Sequence, residues 1–270
     1  MKYFIVQAHH EAKSFNAALT RAAQTALPEH GHEVQVSDLY AMNFNPVSDR
    51  RNFTTVADGD YLKQQVEERH AAKHDGFAPD IQAELDKLDW CDVLVFQFPI
   101  WWFGLPAILK GWVDRVFAMG RIYGGGRWFD DGYFAGRRAM ISLTTGGGRG
   151  AFSKDGISGD IHAILEPVNH GILRFNGFDV VPPFIAWAAA HVDDERREGY
   201  LRDYVERLLT IGETEPATIM KQVNALAADR TRIFVFGVGE QVNTHLLDQI
   251  GADTGGYSQY VRPNEDIETE

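Results

Sequence analysis

Short apolar runs alternate with amphipathic stretches along most of this chain. The runs Tyr3–Ala8, Glu33–Val36, Val93–Phe98, Ala139–Thr144 and Val180–Ala186 are rich in β-branched and aromatic residues and read as strands. After the first of them, "FNAALTRAAQTAL" sets Leu19, Ala22, Ala23, Ala26 and Leu27 on one helical stripe, with Gly31 as the stop. "PDIQAELDKL" reads as a helix opened by a proline in its first turn. "PAILKGWVDRVF", "GDIHAILEPVNHGILRF" and "DDERREGYLRDYVERLL" read as three further helices. Strands separated by helices predict parallel pairing through βαβ units, hence a doubly wound α/β fold. In such a sheet ligands bind beyond the carboxyl ends of the strands, near the point where the strand order reverses.

Three strand ends then stand out, and the topology puts them on one edge. The first strand runs into "AHHEAKSFN", where His9, Ser14 and Asn16 precede a helix N-terminus whose free N–H groups favour a phosphate. Ser14 reads equally well as the cap of that helix. His9 and His10 find no third ligand at a useful spacing, so no metal site is expected. The third strand runs into "FPIWWFG". Neighbouring rings on a turning backbone point in different directions, so at least one of the three must look outward and offer a platform to a flat ligand. The fourth ends in "LTTGGG", where Thr144 and Thr145 precede Gly146 to Gly148, glycines that let a backbone approach a ligand closely. Neither GxxxxGK[ST] nor GxGxxG occurs there. Together the three ends read as a flavin site, with the ring system on Trp102 and Phe103 and its polar edge toward amides around Gly146 and Gly147.

Composition narrows the remaining choices. A chain of 270 residues with 44% hydrophobic residues suits one large domain with an appendage. The net charge of −12, with no run of Lys or Arg, gives nucleic acid or an anionic membrane no electrostatic purchase. The one cysteine, Cys91, excludes an internal disulfide, and no stretch reads as a signal peptide or membrane span, so a cytoplasmic protein is expected.

The stretches "AHHEAKSFN", "SDLYAMNFNPVSDR", "FQFPIWWFGLPAILKGWVDRVF", "LTTGGG" and "GILRFNGFDV" resemble the NAD(P)H:quinone oxidoreductase (DT-diaphorase) family across residues 1–212. The resemblance implies a flavodoxin-like, five-stranded parallel sheet, FAD in preference to FMN, and NAD(P)H as hydride donor. It further implies a homodimer with its site at the subunit interface, and ping-pong two-electron reduction of a quinone or similar electrophile. By position, His9, Ser14, Phe15 and Asn16 are similar to the family's phosphate and ribityl contacts. Pro99, Ile100, Trp101, Trp102 and Phe103 match its flavin bed, and Thr144, Thr145, Gly146 and Gly147 its pyrimidine-edge contacts. Arg197 matches a distal cofactor contact, while Tyr123 and Trp101 match substrate positions, Tyr123 covering the substrate of the partner subunit. The catalytic positions are Gly146, Phe152 and Ser158. The last two stand where animal enzymes carry a relay tyrosine and histidine, and Phe152 cannot donate a hydrogen bond. Arg149 reads either as a substitute charge or as a solvated loop residue. Azo or nitro acceptors are an alternative substrate class, and a regulatory flavoprotein partner of a transporter is an alternative role.

Beyond a linker at 213–228 the pattern changes. Residues 229–270 resemble the C-terminal strand and helix of a von Willebrand type A domain, without that domain's DxSxS metal motif anywhere in the chain. Gly237-Val238-Gly239 follows a strand, yet Val242 stands where a dinucleotide fingerprint needs glycine. A fragment without function of its own is expected there.

Overall fold

The computed structural model describes residues 1–211, 220, 223, 232–238 and 244–261. Most of the expected linker, and 229–231, 239–243 and 262–270 of the expected fragment, lie outside the described residues. The chain divides into two compact units, Met1–Ile211 and Gly212–Glu270.

In the first unit, β1 (Lys2–Gln7), β2 (Glu33–Asp38), β3 (Val93–Pro99), β4 (Arg138–Thr144) and β5 (Asp179–Val180) form a parallel sheet in the order β2-β1-β3-β4-β5. A short β6 (Phe184–Ala186) also pairs with β4. The helices are α1 (Phe15–Glu29), α2 (Gln64–His74), α3 (Pro79–Trp90), α4 (Ala107–Val116), α5 (Ile161–Val168) and α6 (Asp194–Leu209). The order reverses between β1 and β3, which sets their carboxyl ends side by side.

Alternation along the strands builds a core on each face. Tyr3, Ile5, Val93, Val95 and Met140 pack with Leu19, Ala23 and Leu27 of α1 and with Tyr204 and Leu208 of α6. Their immediate neighbours Phe4, Val6, Leu94, Phe96, Phe98, Ile141 and Leu143 point the other way, into the helices α3, α4 and α5. The stripe expected on α1 is therefore buried at Leu19, Ala23 and Leu27, with Ala22 and Ala26 at its half-buried margins. Pro79 does open α3.

Three details depart from the periodicity. The run Val180–Ala186 is broken by Val181-Pro182-Pro183, because proline has no N–H for the ladder; both pieces still pair with β4. The helix expected over 159–175 ends at Val168 and continues as a wider π-helical turn, Asn169–Arg174, just after Pro167 removes a backbone donor. Helix α2 has almost no apolar stripe to announce it, since the face it buries is Glu67, Glu68 and Ala71.

In the second unit, β7 (Val235–Val238) and β8 (Ser258–Val261) pair in parallel, with α7 (Thr244–Thr254) between them in sequence. Met220, Leu246 and Ile250 form its small core. No described helix is long and apolar enough to cross a membrane.

Candidate functional site

The adjoining ends of β1, β3 and β4 are stitched together by main-chain bonds. Ala8 N–H donates to the Gln97 carbonyl at 2.9 Å, and Ile100 N–H donates to the Thr144 carbonyl at 3.0 Å. Everything expected at the three strand ends is hung from this edge.

At the end of β1, His9 is half-buried and its Nδ1 accepts the Glu11 N–H at 2.9 Å, which leaves the ring proton on Nε2. Burial, and then the neighbouring His10 ring, lower its pKa from the usual imidazole value, so the ring is neutral at pH 7. Ser14 caps α1, its Oγ accepting the Ala17 N–H at 3.2 Å. Phe15 packs edge-on against Tyr200 at 6.3 Å. Asn16 is 2% exposed and faces inward: its Nδ2 donates to Thr144 Oγ1 at 2.8 Å and its Oδ1 accepts from Gln97 Nε2 at 2.8 Å.

At the end of β3, Pro99 is buried in the strand and Ile100 half-buried. Trp101 and Gly104 then exchange N–H···O bonds of 3.3 and 3.0 Å, closing a two-residue turn. Its central residues have φ of +50° at Trp102 and +60° at Phe103. That is the geometry of a type I′ turn, which normally selects Asn and Gly. Two bulky aromatics are held there instead, in backbone angles that L-residues avoid. The consequence is that the three rings part company. Trp101 turns back to the histidines, 5.9 Å from His9 and 5.5 Å from His10. Phe103 leans toward Phe152 at 6.4 Å. Trp102 is 98% exposed.

At the end of β4, Thr145 Oγ1 donates to the Gly147 carbonyl at 2.7 Å and accepts the Ala188 N–H at 3.1 Å, tying the glycine loop to the segment after β6. Gly146 neither adopts a positive φ nor has any atom within 4 Å of where a Cβ would stand. Nothing within the chain requires glycine there, which fits a backbone that a ligand approaches. The N–H groups of Gly146 and Gly147 have no acceptor among the described residues. An exposed aromatic shelf beside free amide donors and a neutral imidazole N–H suits a flat heteroaromatic ring with a polar edge, which is the shape of a flavin.

The remaining expected residues have the following surroundings. Phe152 is buried between Phe103 and Trp187, the latter at 5.9 Å, and Ser158 N–H donates to the Ala151 carbonyl at 2.8 Å. Arg149 is exposed. Arg197, in the first turn of α6, donates to Asp194 Oδ1 at 2.7 Å and to the carbonyls of Val192 and Ala189. Tyr123 lines a separate cavity of 690 Å³ with Glu68, Phe117, Phe175 and Asn176. Gln97, Trp187 and Ala188 belong to the strand-end group without having been expected there. Gln97 had a signal, as the lone polar residue in the apolar run of β3; Ala188 acts through its backbone and had none. Among the described residues no cluster of three or more His, Cys, Asp and Glu could hold a metal ion.

Comparison with known proteins identifies the fold and the family. A family profile described as flavodoxin-like fold matches residues 1–208. The chain is 43% identical over 213 residues to NAD(P)H dehydrogenase (quinone) 1 of Rattus norvegicus, covering 78% of each chain. It is 40% identical over 216 residues to ribosyldihydronicotinamide dehydrogenase (quinone) of Mus musculus, covering 80% of this chain and 94% of that one. Among solved structures, NAD(P)H:quinone oxidoreductase from Methanothermobacter marburgensis superposes with a TM-score of 0.60 at 26% identity, over 80% of this chain and 98% of that one. A Klebsiella pneumoniae protein described as a quinone reductase reaches a TM-score of 0.76 at 38% identity, over 80% and 86%.

Proposed function

The chain belongs to the flavodoxin-like family of NAD(P)H:quinone oxidoreductases, and from that premise we infer that it is a flavin-dependent NAD(P)H dehydrogenase that reduces quinones by two electrons. The observation that carries this reading is the outward Trp102, held in a left-handed turn beside the free amides of Gly146 and Gly147. A bulky ring kept in an unfavourable backbone conformation and in full contact with solvent contributes nothing to the core, so its use lies in what it binds. The flavin is read as FAD, from the long motif matches at all three strand ends.

Held by these residues, a flavin would supply the hydride-transfer chemistry between NAD(P)H and the acceptor. The chain's own residues bind and orient. Trp102 and Phe103 offer ring faces, Gly146 and Gly147 offer N–H donors to a polar edge, and neutral His9 offers its Nε2–H to a phosphate oxygen. Phe152, packed between Phe103 and Trp187, keeps water from that side of the shelf but brings no hydrogen bond to charge developing there. Ser158 is the nearest sequence counterpart of a relay histidine, and it cannot carry a positive charge. Tyr123 stands edge-on to Phe175 at 6.0 Å, beside the separate cavity, on a face this reading turns toward a second copy of the chain.

The test is direct. Purified full-length protein should be yellow, release a chromophore with the mass of FAD, and oxidise NAD(P)H rapidly with a soluble quinone. A protein that neither copurifies with flavin nor binds it on titration overturns the reading. FMN in place of FAD would correct only the cofactor.

A further inference from the structure

Strand β3 is buried from Val93 to Pro99 and carries one polar side chain, Gln97, which is fully buried. By strand alternation Gln97 shares the face of Val93 and Val95 that packs under α1. Its Nε2 donates to Asn16 Oδ1 at 2.8 Å, and Asn16 Nδ2 donates to Thr144 Oγ1 at 2.8 Å. The far atom, Gln97 Oε1, has no partner. Turned the other way, this amide would bury both its N–H groups without an acceptor, and orphaned N–H groups are tolerated less well than an orphaned carbonyl oxygen. The chain of bonds therefore runs from the core outward.

That direction has a consequence for Thr144. Its hydroxyl oxygen already receives the Asn16 N–H, so its own proton must go elsewhere. No acceptor for that proton exists among the described residues. Thr144 is 8% exposed and sits at the carboxyl end of β4, where Ile100 N–H takes up its carbonyl. We propose that Gln97 is a positioning residue: acting through Asn16, it makes the Thr144 hydroxyl an obligatory hydrogen-bond donor toward an acceptor atom of the bound flavin. This rests on the flavin reading above.

Flavin titration of the apoprotein, followed by the reduction potential of the bound flavin, tests it, with apoprotein melting as the control for folding. Gln97→Met and Thr144→Val should each weaken flavin binding about tenfold, the size of one lost hydrogen bond to a ligand, and each should lower the potential. Because Gln97 acts only through Thr144, the double variant should bind no more weakly than Thr144→Val alone. Thr144→Ser should restore binding. An unchanged affinity in Gln97→Met overturns the proposal, as do effects that add in full, since a merely structural Gln97 would weaken the Thr144→Val protein further. Should Gln97→Met fail to fold, Gln97→Glu replaces it. Its carboxyl donates like the amide when protonated and cannot donate when ionised, so affinity should fall between about pH 6 and about pH 9, the range in which buried carboxyls titrate. Binding as tight as wild type throughout that range overturns the proposal. A wild-type protein that takes no flavin at all overturns the underlying reading, and this proposal with it.

Discussion

Trp102 and Phe103 show how a single residue's backbone is set against its own preference. The left-handed region costs an L-residue about 1–2 kcal/mol, and Trp102, 98% exposed, recovers none of this by burial in the chain. Asparagine tolerates these angles and is favoured in type I′ turns. Trp102→Asn should therefore stabilise the apoprotein by about 0.5–1 kcal/mol. The same change removes a ring face worth about 1 kcal/mol in stacking, so flavin affinity should fall several-fold. Denaturant midpoints of the apoprotein and a flavin titration measure the two effects. A variant that is less stable and binds flavin undiminished would contradict both halves of the argument. Phe103 is a poorer site for the same test, because its contact with Phe152 mixes packing with strain.

At the scale of elements, two docking arrangements make opposite demands. Helix α4 crosses the chain at Pro46 so closely that a Cβ on Gly111 would stand 2.2 Å from the Pro46 carbonyl oxygen and 2.4 Å from its Cβ. Intrinsic propensity favours alanine over glycine in a helix by about 1 kcal/mol, but a clash with rigid backbone and a proline ring outweighs it. Gly111→Ala should destabilise the fold by about 1–3 kcal/mol, read from urea unfolding; a gain in stability would mean that the crossing is loose. Helix α2 docks differently, through the buried carboxylate of Glu68, which accepts the Met119 N–H at 2.6 Å and the Gln64 amide at 2.8 Å. Burial raises the Glu68 pKa above its ordinary value of 4.5, with those two hydrogen bonds opposing the rise. A raised folded-state pKa gives stability that is complete below the unfolded value and is lost as pH climbs through the folded one. Relative to Glu68→Gln, which does not titrate, the wild type should thus lose stability as pH rises from the ordinary value of 4.5 through the raised folded one. Melting temperatures of both proteins across that range give the answer, and parallel curves would refute it.

For the whole molecule the informative boundary is the one between the two compact units, after Ile211. Ile211 is 3% exposed and belongs to the core that α1 and α6 make with the sheet. A chain stopped after Ile211 should keep its flavin and its quinone turnover, since every strand end of the candidate site lies before that point. A chain stopped after Leu209 loses a buried isoleucine as well, at a cost of about 2 kcal/mol or more, and should melt earlier while binding flavin with the same affinity once folded. Flavin content, melting temperature and turnover of the two truncations decide this. Loss of flavin in the chain ending at Ile211 would show that the second unit takes part in the site.

The strand runs, five of the six helices of the first unit, the parallel sheet and the three strand ends were legible in the sequence alone; helix α2, with almost no apolar stripe, was not. Alternation and helical stripes are local signals, and a strand that is apolar on both faces declares itself before anything packs on it. Motifs at strand ends are local too, which is why "FPIWWFG" and "LTTGGG" could be joined into one edge from topology. What only the tertiary structure decided is which neighbour each side chain takes. Asn16 points inward to Gln97 and Thr144, residues 81 and 128 positions away. Arg197 takes Asp194 of its own helix and the carbonyls of Val192 and Ala189 just before it. Helix α2, which no apolar stripe announced, buries the carboxylates of Glu67 and Glu68. Of three adjacent rings, the turn at Trp102 and Phe103 leaves Trp102 fully and Phe103 partly in solvent while Trp101 turns inward. Those choices depend on donors and acceptors that crossovers bring together across the sheet, and no periodicity along the chain encodes them.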